Sequence, residues 1–267
     1  MSKKAQDNGA NTKLPSRRIA DELRAAITSG ALPEGHKLES ERKLAERFES
    51  ARNTAREAVR LLAEEGLVDV QHGRGVFVRR KRKLLRFGSE RYSKRLREQT
   101  GLSPYRAELA KQGLTPRVDC TSIERVVPPA RIVERLDVDP DQASVVRREN
   151  WYYASDDHVE YAVQIGVTYI PWTIAEGSVL ATSGQMGKGS LYGRFEELGH
   201  PMSRSREEIT ARMPSQEEVQ GLQLPDGVPV IDVLHTGTDP NNVAFEVTHF
   251  VMRADFGGLD YDMPIEG

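Results

Sequence analysis

The chain has 267 residues, of which 38% are hydrophobic and 29% are charged, and its formal net charge is −2. This length suits two domains of ordinary size. The lack of any run of 18 apolar residues excludes a membrane-spanning helix. We also expect no secretory signal in the polar first residues.

The chain contains one cysteine, Cys120, which excludes an intrachain disulfide framework. Sparse cysteine is typical of a reducing cytoplasm, where we expect this protein to work. We expect Cys120 to be a small buried hydrophobic residue, with a reactive thiol as the alternative.

Charge is distributed unevenly along the chain. Residues 1–100 carry 24 Lys+Arg and 14 Asp+Glu, whereas residues 101–267 carry 14 and 26. A basic part joined to an acidic part indicates one module that binds a polyanion and a second module with a different role. Residues 1–14 are expected to form a disordered tail.

The segment that follows the tail predicts three helices and a hairpin. Apolar side chains recur at helical spacing up to Gly30, and Ser40 is a suitable cap for the second helix. A turn that contains Gly73 and Gly75 separates two short apolar runs, which predicts a hairpin. We predict helices over residues 17–29 and 41–48, a third helix that ends near Gly66, and strands over residues 67–70 and 76–78.

The third helix has the character of a DNA-reading helix. Arg52, Arg56 and Arg60 fall within an arc of about 80° on its surface. Three helices followed by a two-stranded wing form the winged helix-turn-helix arrangement, in which a helix enters the major groove. The planar arginine fork can pair with guanine or with phosphate. A surface helix with solvated arginines is the alternative, but the adjacent wing argues against it.

Residues 15–79 resemble the DNA-binding domain of GntR-type bacterial transcription regulators. The resemblance covers RIADELRAAITSGALPEGHKLESERKLAERF and ARNTAREAVRLLAEEGLVDVQHGRGVFV. It implies that the Ser-Glu-Arg segment, the third helix and the wing tip contact DNA through Arg42, Arg52, Asn53, Thr54, Arg56, His72, Gly73 and Arg74. Two positions depart from the family pattern, because Glu39 replaces a proline and Ser50-Ala51 replaces a Val-Ser pair. The missing hydroxyl at Ala51 predicts the loss of one DNA contact.

Residues 80–102 are predicted to form a basic linker with at most one short helix. From Arg74 to Arg97 there are 11 basic residues and one acidic residue, and no apolar periodicity organises them. Beside a wing, such a run would neutralise phosphates without reading sequence. A solvated tether is the alternative.

The remainder of the chain predicts an α+β domain built on an antiparallel sheet. Strands are predicted over residues 118–127, 145–153, 163–169, 209–213, 230–235 and 244–252, and helices over residues 105–112, 130–138, 190–198 and 216–222. Short helices lie between these strands in the sequence, which is the basis for this fold class.

Residues 103–262 resemble the effector-binding UTRA domain of the HutC branch of GntR regulators. The resemblance rests on LAKQGLTPRV, RIVERLDV, VQIGVTYIP, GSLYGRFEELGH and VAFEVTHFVMRADF. It implies a fold of the chorismate-lyase type and a small molecule that alters DNA affinity. The expected effector contacts are Arg147, Asn150, Tyr152, Ser190, Tyr192, Glu246 and Arg253.

The chemical class of the effector depends on one short segment. Asn150-Trp151-Tyr152 stands where sugar-phosphate-binding members of the family carry an Arg-x-Arg pair. This favours a less anionic or aromatic effector, unless a shift of register brings Arg147 and Arg148 into the pocket. Ordinary strand packing of the aromatic residues is the alternative.

Two other functions remain to be weighed at this point. A lyase-like enzyme is one, but the six histidines form no HExxH pair, and no GxSxG or phosphate-loop spacing is present. We therefore expect no cofactor, no metal and no catalysis. A DNA-binding architectural protein without a ligand is the other. The favoured interpretation is a cytoplasmic, homodimeric repressor that binds a palindromic operator and responds to a small molecule.

Overall fold

The computed structural model of the chain describes residues 14–71, 73–79, 84–88, 91–156 and 159–263. The chain divides into two compact units, and the division falls near residue 81. Within the described ranges, no helix has the length and apolar character needed to cross a membrane.

The first unit is a winged helix-turn-helix, as predicted. It contains helices α1 (Pro15–Thr28), α2 (Glu41–Arg47) and α3 (Arg52–Glu64), followed by strands β1 (Val68–Gln71) and β2 (Gly75–Val78). The two strands pair antiparallel, with Val68 opposite Val78. The buried faces of all five elements form one core, so the exposed face of α3 is held on a packed base.

The starts of α2 and α3 differ in their capping. The Ser40 side chain accepts a hydrogen bond from the backbone N–H of Lys43, which confirms the predicted cap of α2. Ala51 occupies the corresponding N-cap position of α3 with extended backbone angles, but its side chain can make no such bond. The start of α3 therefore lacks the usual side-chain acceptor for its first amides.

The second unit is an α+β domain, as predicted. Its elements are β3 (Leu84–Phe87), α4 (Lys94–Thr100), α5 (Pro104–Lys111), β4 (Thr115–Val126), α6 (Ala130–Leu136), β5 (Val145–Ser155), β6 (Glu160–Pro171), α7 (Trp172–Ala175), a turn of 3-10 helix (Val179–Ala181), α8 (Ser190–Glu197), β7 (Arg204–Arg212), α9 (Gln216–Gly221), β8 (Val230–Thr238), β9 (Ala244–Arg253) and β10 (Gly257–Asp260). Six strands form an antiparallel sheet in the order β4-β5-β6-β9-β8-β7.

The basic segment after the wing is not the linker that the sequence predicted. Residues 84–87 form β3, which pairs in parallel with β10, and α4 follows shortly afterwards. Three of its arginines are buried in ion pairs with distant glutamates: Arg86–Glu207, Arg91–Glu108 and Arg97–Glu196. These charges therefore serve the interior of the second unit, because burial without such partners would be costly.

Candidate DNA-binding surface and effector cavity

The arginines of α3 project from its exposed face. Ala55, Val59 and Leu62 are buried in the core, whereas the side chains of Arg52 and Arg56 are 66% and 60% exposed. Both arginines can therefore reach a groove of DNA while the opposite face of the helix holds it in place.

Glu41 of α2 holds both arginines. Arg52 donates from Nε to Glu41 Oε2 at 3.2 Å, and Arg56 donates from Nε to Oε1 and from Nη2 to Oε2, each at 3.1 Å. The Arg56 and Arg52 guanidinium groups lower the pKa of Glu41 and keep it ionised. Glu41 thus orients two guanidinium groups before DNA is present.

The third arginine of the arc has a different environment. Arg60 donates from Nε to Glu57 at 2.8 Å, and it also pairs with Glu64 on the same helix. Its charge is compensated within α3, so Arg60 forms part of the helix surface and does not join the pair held by Glu41.

The other DNA contacts expected from the sequence are accessible where the structure describes them. Arg42 and Asn53 are exposed and Thr54 is half-buried. Gly73 and Arg74 are exposed at the wing tip, where Gly73 has a φ of 72° and the N–H of Arg74 donates to the carbonyl of Gln71 at 3.0 Å. His72 lies outside the described residues.

A cavity of about 620 Å³ lies in the second unit, within the size range of small-molecule sites. Its sheet side is formed by residues of β4, β5, β6 and β9, and its remaining walls come from the segments around α5 and α8. Four of the expected effector contacts line it: Asn150, Tyr152, Ser190 and Tyr192.

Arg147 does not line this cavity, contrary to expectation. It pairs with Glu149 at 2.5 Å, while Arg148 lines the cavity instead. Side chains of a strand alternate between its faces, so Arg148 shares a face with Asn150 and Tyr152. This alternation was the sequence signal that distinguishes Arg148 from Arg147.

Arg253 also lies outside the cavity lining. Its Nε and Nη2 donate to Asp255 at 3.0 and 2.7 Å, and its Nη1 donates to the carbonyl of Leu222 at 3.0 Å. These bonds hold the guanidinium group against Asp255 and Leu222, and the expected effector contact by Arg253 stays a prediction.

Glu246 is fully buried behind the cavity wall. It accepts hydrogen bonds from the Tyr192 hydroxyl at 2.9 Å and from the Thr248 hydroxyl at 2.6 Å. Tyr192 and Thr248 themselves line the cavity. Glu246 therefore orients two hydroxyl groups at the cavity wall and does not line the cavity itself.

His235 joins Glu246 to a second buried carboxylate. Its Nε2 lies 2.9 Å from Glu246 Oε1, and its Nδ1 lies 3.2 Å from Glu207 Oε1 and 3.1 Å from the Tyr92 hydroxyl. Burial alone would lower the pKa of His235, but the two carboxylates outweigh it and raise the pKa. The sequence analysis missed His235 and Glu207, whose only local signal is a histidine and an acid within strands.

Several donors of the cavity have unusual surroundings. Arg148 is 4% exposed, and its Nη1 donates to the carbonyls of Leu180 and Thr182 at 2.6 and 2.9 Å. No carboxylate in the described part of the chain lies within ion-pair distance of it, and burial lowers its pKa. The Tyr105 hydroxyl and Arg91 Nε are buried without a hydrogen-bond partner among the described residues.

A winged helix-turn-helix, followed by a domain whose cavity is lined by the buried side chains of Arg91 and Arg148, is the architecture of a ligand-responsive DNA-binding regulator. Residues 15–78 match the family model of bacterial regulatory proteins of the gntR family, and residues 111–256 match the UTRA domain. The chain belongs to the GntR family of transcription regulators, in its UTRA-containing HutC branch.

Two bacterial relatives match nearly the whole chain. An HTH-type transcriptional regulator of Streptomyces coelicolor is 30% identical over 252 residues, which span 90% of this chain and 91% of that protein. The HTH-type transcriptional repressor NagR of Bacillus subtilis is 27% identical over 245 residues, 89% of each chain. The family and these relatives are transcription regulators, so the enzyme alternative is set aside.

A solved structure shows the same fold. The chain covers 100% of PhnF from Mycobacterium smegmatis with 93% of its own length, at a TM-score of 0.56 and 23% identity. The order of a winged helix-turn-helix followed by an effector domain is therefore shared between these chains.

Proposed function

We propose that this regulator is a cytoplasmic, homodimeric repressor that binds a palindromic operator and releases it when a small molecule fills the cavity. A dimer presents two DNA-reading helices to two half-sites, which is why a two-fold protein matches a palindrome. The named repressor among the relatives supports repression. The DNA-binding domain covers residues 15–79, and the effector domain begins at β3 and extends to residue 262.

The observation that carries this proposal is that one wall of the cavity belongs to the segment between the DNA-binding domain and α5. Arg91, Gly101 and Ser103 line the cavity, and all three belong to the segment that follows the DNA-binding domain in the chain. A ligand that binds there shifts the position of this segment. It can change DNA affinity only by the difference between its affinities for the two arrangements.

We further propose that the effector is acidic and carries an apolar or aromatic part. The buried Arg148 lacks a carboxylate partner among the described residues, and Arg91 Nε and the Tyr105 hydroxyl are unsatisfied donors in the same cavity. Tyr105 and Phe250 each contact Tyr152 edge-on, with centroids 5.0 and 6.3 Å apart, which supplies an aromatic surface. Arg148 thus provides a charge where the Arg-x-Arg pair is missing, whereas Arg91, whose charge is balanced by Glu108, provides an N–H donor.

The test of the regulator is a selection of genomic DNA by the purified full-length protein at near-physiological salt. A few sharp peaks that share a palindrome are expected, together with the mass of a dimer in sedimentation. Diffuse binding that disappears as salt rises would contradict the proposal, because it is what a basic protein without sequence preference shows. That result would favour the architectural alternative.

The test of the effector class uses the same protein and a panel of small carboxylic and phosphoric acids. An acid that binds the folded state raises the melting temperature, and the rise grows with the ratio of its free concentration to its dissociation constant. Uncharged analogues of the same shape are the matched controls. Equal stabilisation by acid and analogue would contradict the acidic class.

A further inference from the structure

Cys120, the single cysteine, lies on β4 and is exposed in the effector cavity. The expectation of a small buried residue is therefore wrong. Arg148 donates from Nη2 to Cys120 Sγ at 3.7 Å. A thiol in a cavity that admits small molecules is open to reagents of the same size.

The neighbouring arginine changes the chemistry of this thiol. The thiolate is the nucleophilic form of cysteine, and an adjacent cation favours it. Arg148 suits this role because its other hydrogen bonds go to the neutral carbonyls of Leu180 and Thr182, and no described carboxylate competes for its charge.

An independent feature of the cavity points to a bound molecule with an acceptor oxygen. Tyr105 is 4% exposed, lines the cavity, and its hydroxyl has no hydrogen-bond partner among the described residues. A buried hydroxyl without a partner carries a free-energy cost that a ligand oxygen relieves. The nucleophile Cys120, the cation Arg148 and the hydroxyl-bearing Tyr105 thus line the same cavity.

We propose that Cys120 is a covalent modification site for small α,β-unsaturated carbonyl compounds, and that the adduct changes DNA binding. The first part stands on the cavity alone, whereas the effect on DNA rests on the proposed function. An adduct would occupy the volume that the reversible effector needs.

The reaction is a conjugate addition in which all atoms are retained. Sγ of the thiolate forms a bond to the β-carbon, the C=C π bond breaks, and its electron pair moves onto the carbonyl oxygen as an enolate. Arg148 and Tyr105 are the cavity's donors for that oxygen. Water then protonates the α-carbon, and the proton released earlier by the thiol neutralises the hydroxide.

The test uses the full-length protein and N-ethylmaleimide, with intact mass as the readout. Because the chain has one cysteine, one adduct of one reagent mass is expected, and Cys120→Ser should gain none. The rate of adduct formation at neutral pH is the second readout, and it should exceed that of glutathione with the same reagent at least about fivefold.

Two variants isolate the contribution of Arg148. Arg148→Met should slow adduct formation at least about fivefold, since the cation is removed. Arg117→Met is the matched control on the strand of Cys120, because its guanidinium pairs with Glu160 at 2.7 Å and lies outside the cavity lining. A wild-type rate no faster than that of glutathione, or equal slowing in both variants, would overturn the proposal. If Arg148→Met does not fold, the comparison of the wild type with glutathione decides.

The regulatory part is tested with the DNA that the protein selects from its genome. Complete modification should change the affinity for that DNA at least fivefold, and the reagent should not change the affinity of Cys120→Ser. Specific DNA with no change on modification would overturn the regulatory part and leave the proposed function intact. If no specific DNA is selected, the proposed function fails, whereas the rates of adduct formation still decide the reactivity of the thiol.

Discussion

The imidazole of His235 lies 2.9 Å from the carboxylate of Glu246, and both side chains are fully buried. Glu207 lies directly opposite His235 in the pairing of β7 with β8, so the histidine is flanked by two carboxylates. Arg86 pairs with Glu207 and thereby extends the network to β3. The network joins the wall of the effector cavity to the segment that follows the DNA-binding domain in the chain.

This network predicts a pH dependence of stability. The pKa of His235 is raised in the folded protein, so its charge contributes fully below the unfolded value of about 6.5. That contribution is lost as the pH rises through the folded pKa. We therefore expect the free energy of unfolding of the second domain to decrease above about pH 6.5, as measured by urea titrations at several pH values.

His235→Gln provides the comparison for that measurement. It should reduce stability by about 3–5 kcal/mol below pH 6.5, because it leaves the buried carboxylate of Glu246 without its cationic partner, whereas Glu207 keeps Arg86. Its stability should also lose the decrease with rising pH that the wild type shows. Parallel pH profiles of the two proteins would show that His235 does not carry this dependence.

A second prediction concerns two adjacent arginines of β5. Arg148→Met should weaken binding of a stabilising acidic ligand at least tenfold, because hydrogen bonds to charged groups contribute about 1.5–3 kcal/mol. Arg147→Met should change the affinity little, since Arg147 pairs with Glu149 away from the cavity. Calorimetric titration of both variants checks this, and a larger effect in Arg147→Met would refute the assignment of faces.

A third prediction concerns DNA reading by α3. Arg52→Ala and Arg56→Ala should each weaken binding to the selected DNA about tenfold or more if the side chain pairs with a base. Arg60→Ala is the matched control, because its charge is already compensated on the same helix. Wild-type affinity in the first two variants, measured by fluorescence anisotropy, would remove α3 from the DNA interface.

A fourth prediction concerns Glu41, which orients these arginines. Glu41→Gln removes a negative charge beside the DNA-facing surface, so affinity for random DNA should increase. Affinity for the selected DNA should not increase equally, since the two guanidinium groups lose their common anchor. The ratio of specific to non-specific affinity should therefore fall about tenfold. An unchanged ratio in competition assays would show that Glu41 has no orienting role.

A fifth prediction concerns the uncapped start of α3. Ala51→Ser should stabilise the DNA-binding domain by about 1 kcal/mol, because a hydroxyl at this position can accept from a backbone amide of the first turn, which has no side-chain cap. Ser40→Ala is the reciprocal test at α2, where removal of the existing cap should destabilise by a similar amount. Thermal unfolding of both variants measures this, and a destabilised Ala51→Ser protein would contradict it.

Much of the architecture followed from patterns that lie within single elements. The helical spacing of Ile19, Leu23 and Val59 predicted their burial in the first core. The same holds for the wing, where glycines mark the turn between Val68 and Val78. Strand alternation also predicts the face of β5 on which Arg148 lies, because Arg148 and Asn150 are two residues apart and share one face of the strand.

The basic run from Arg74 to Arg97 shows what such local patterns do not predict. Its composition indicated contact with a polyanion, yet Arg86 and Arg91 are interior residues of the second domain. Arg86 pairs with Glu207, which lies 121 positions later in the chain. A short stretch of sequence contains only one member of such a pair, so its composition predicts an unpaired surface charge.

The sequence by itself determined the two-domain order, the DNA-reading helix, the wing and the antiparallel class of the second domain. Each depends on interactions between residues close in the chain, whose periodicity sets the buried face of a helix or strand. Only the tertiary structure decided that Glu41 holds two arginines, that His235 lies between two carboxylates and that Cys120 faces Arg148. These relationships join residues from different elements. A buried charge is stable only beside a partner, and in the folded chain that partner can lie far away in the sequence.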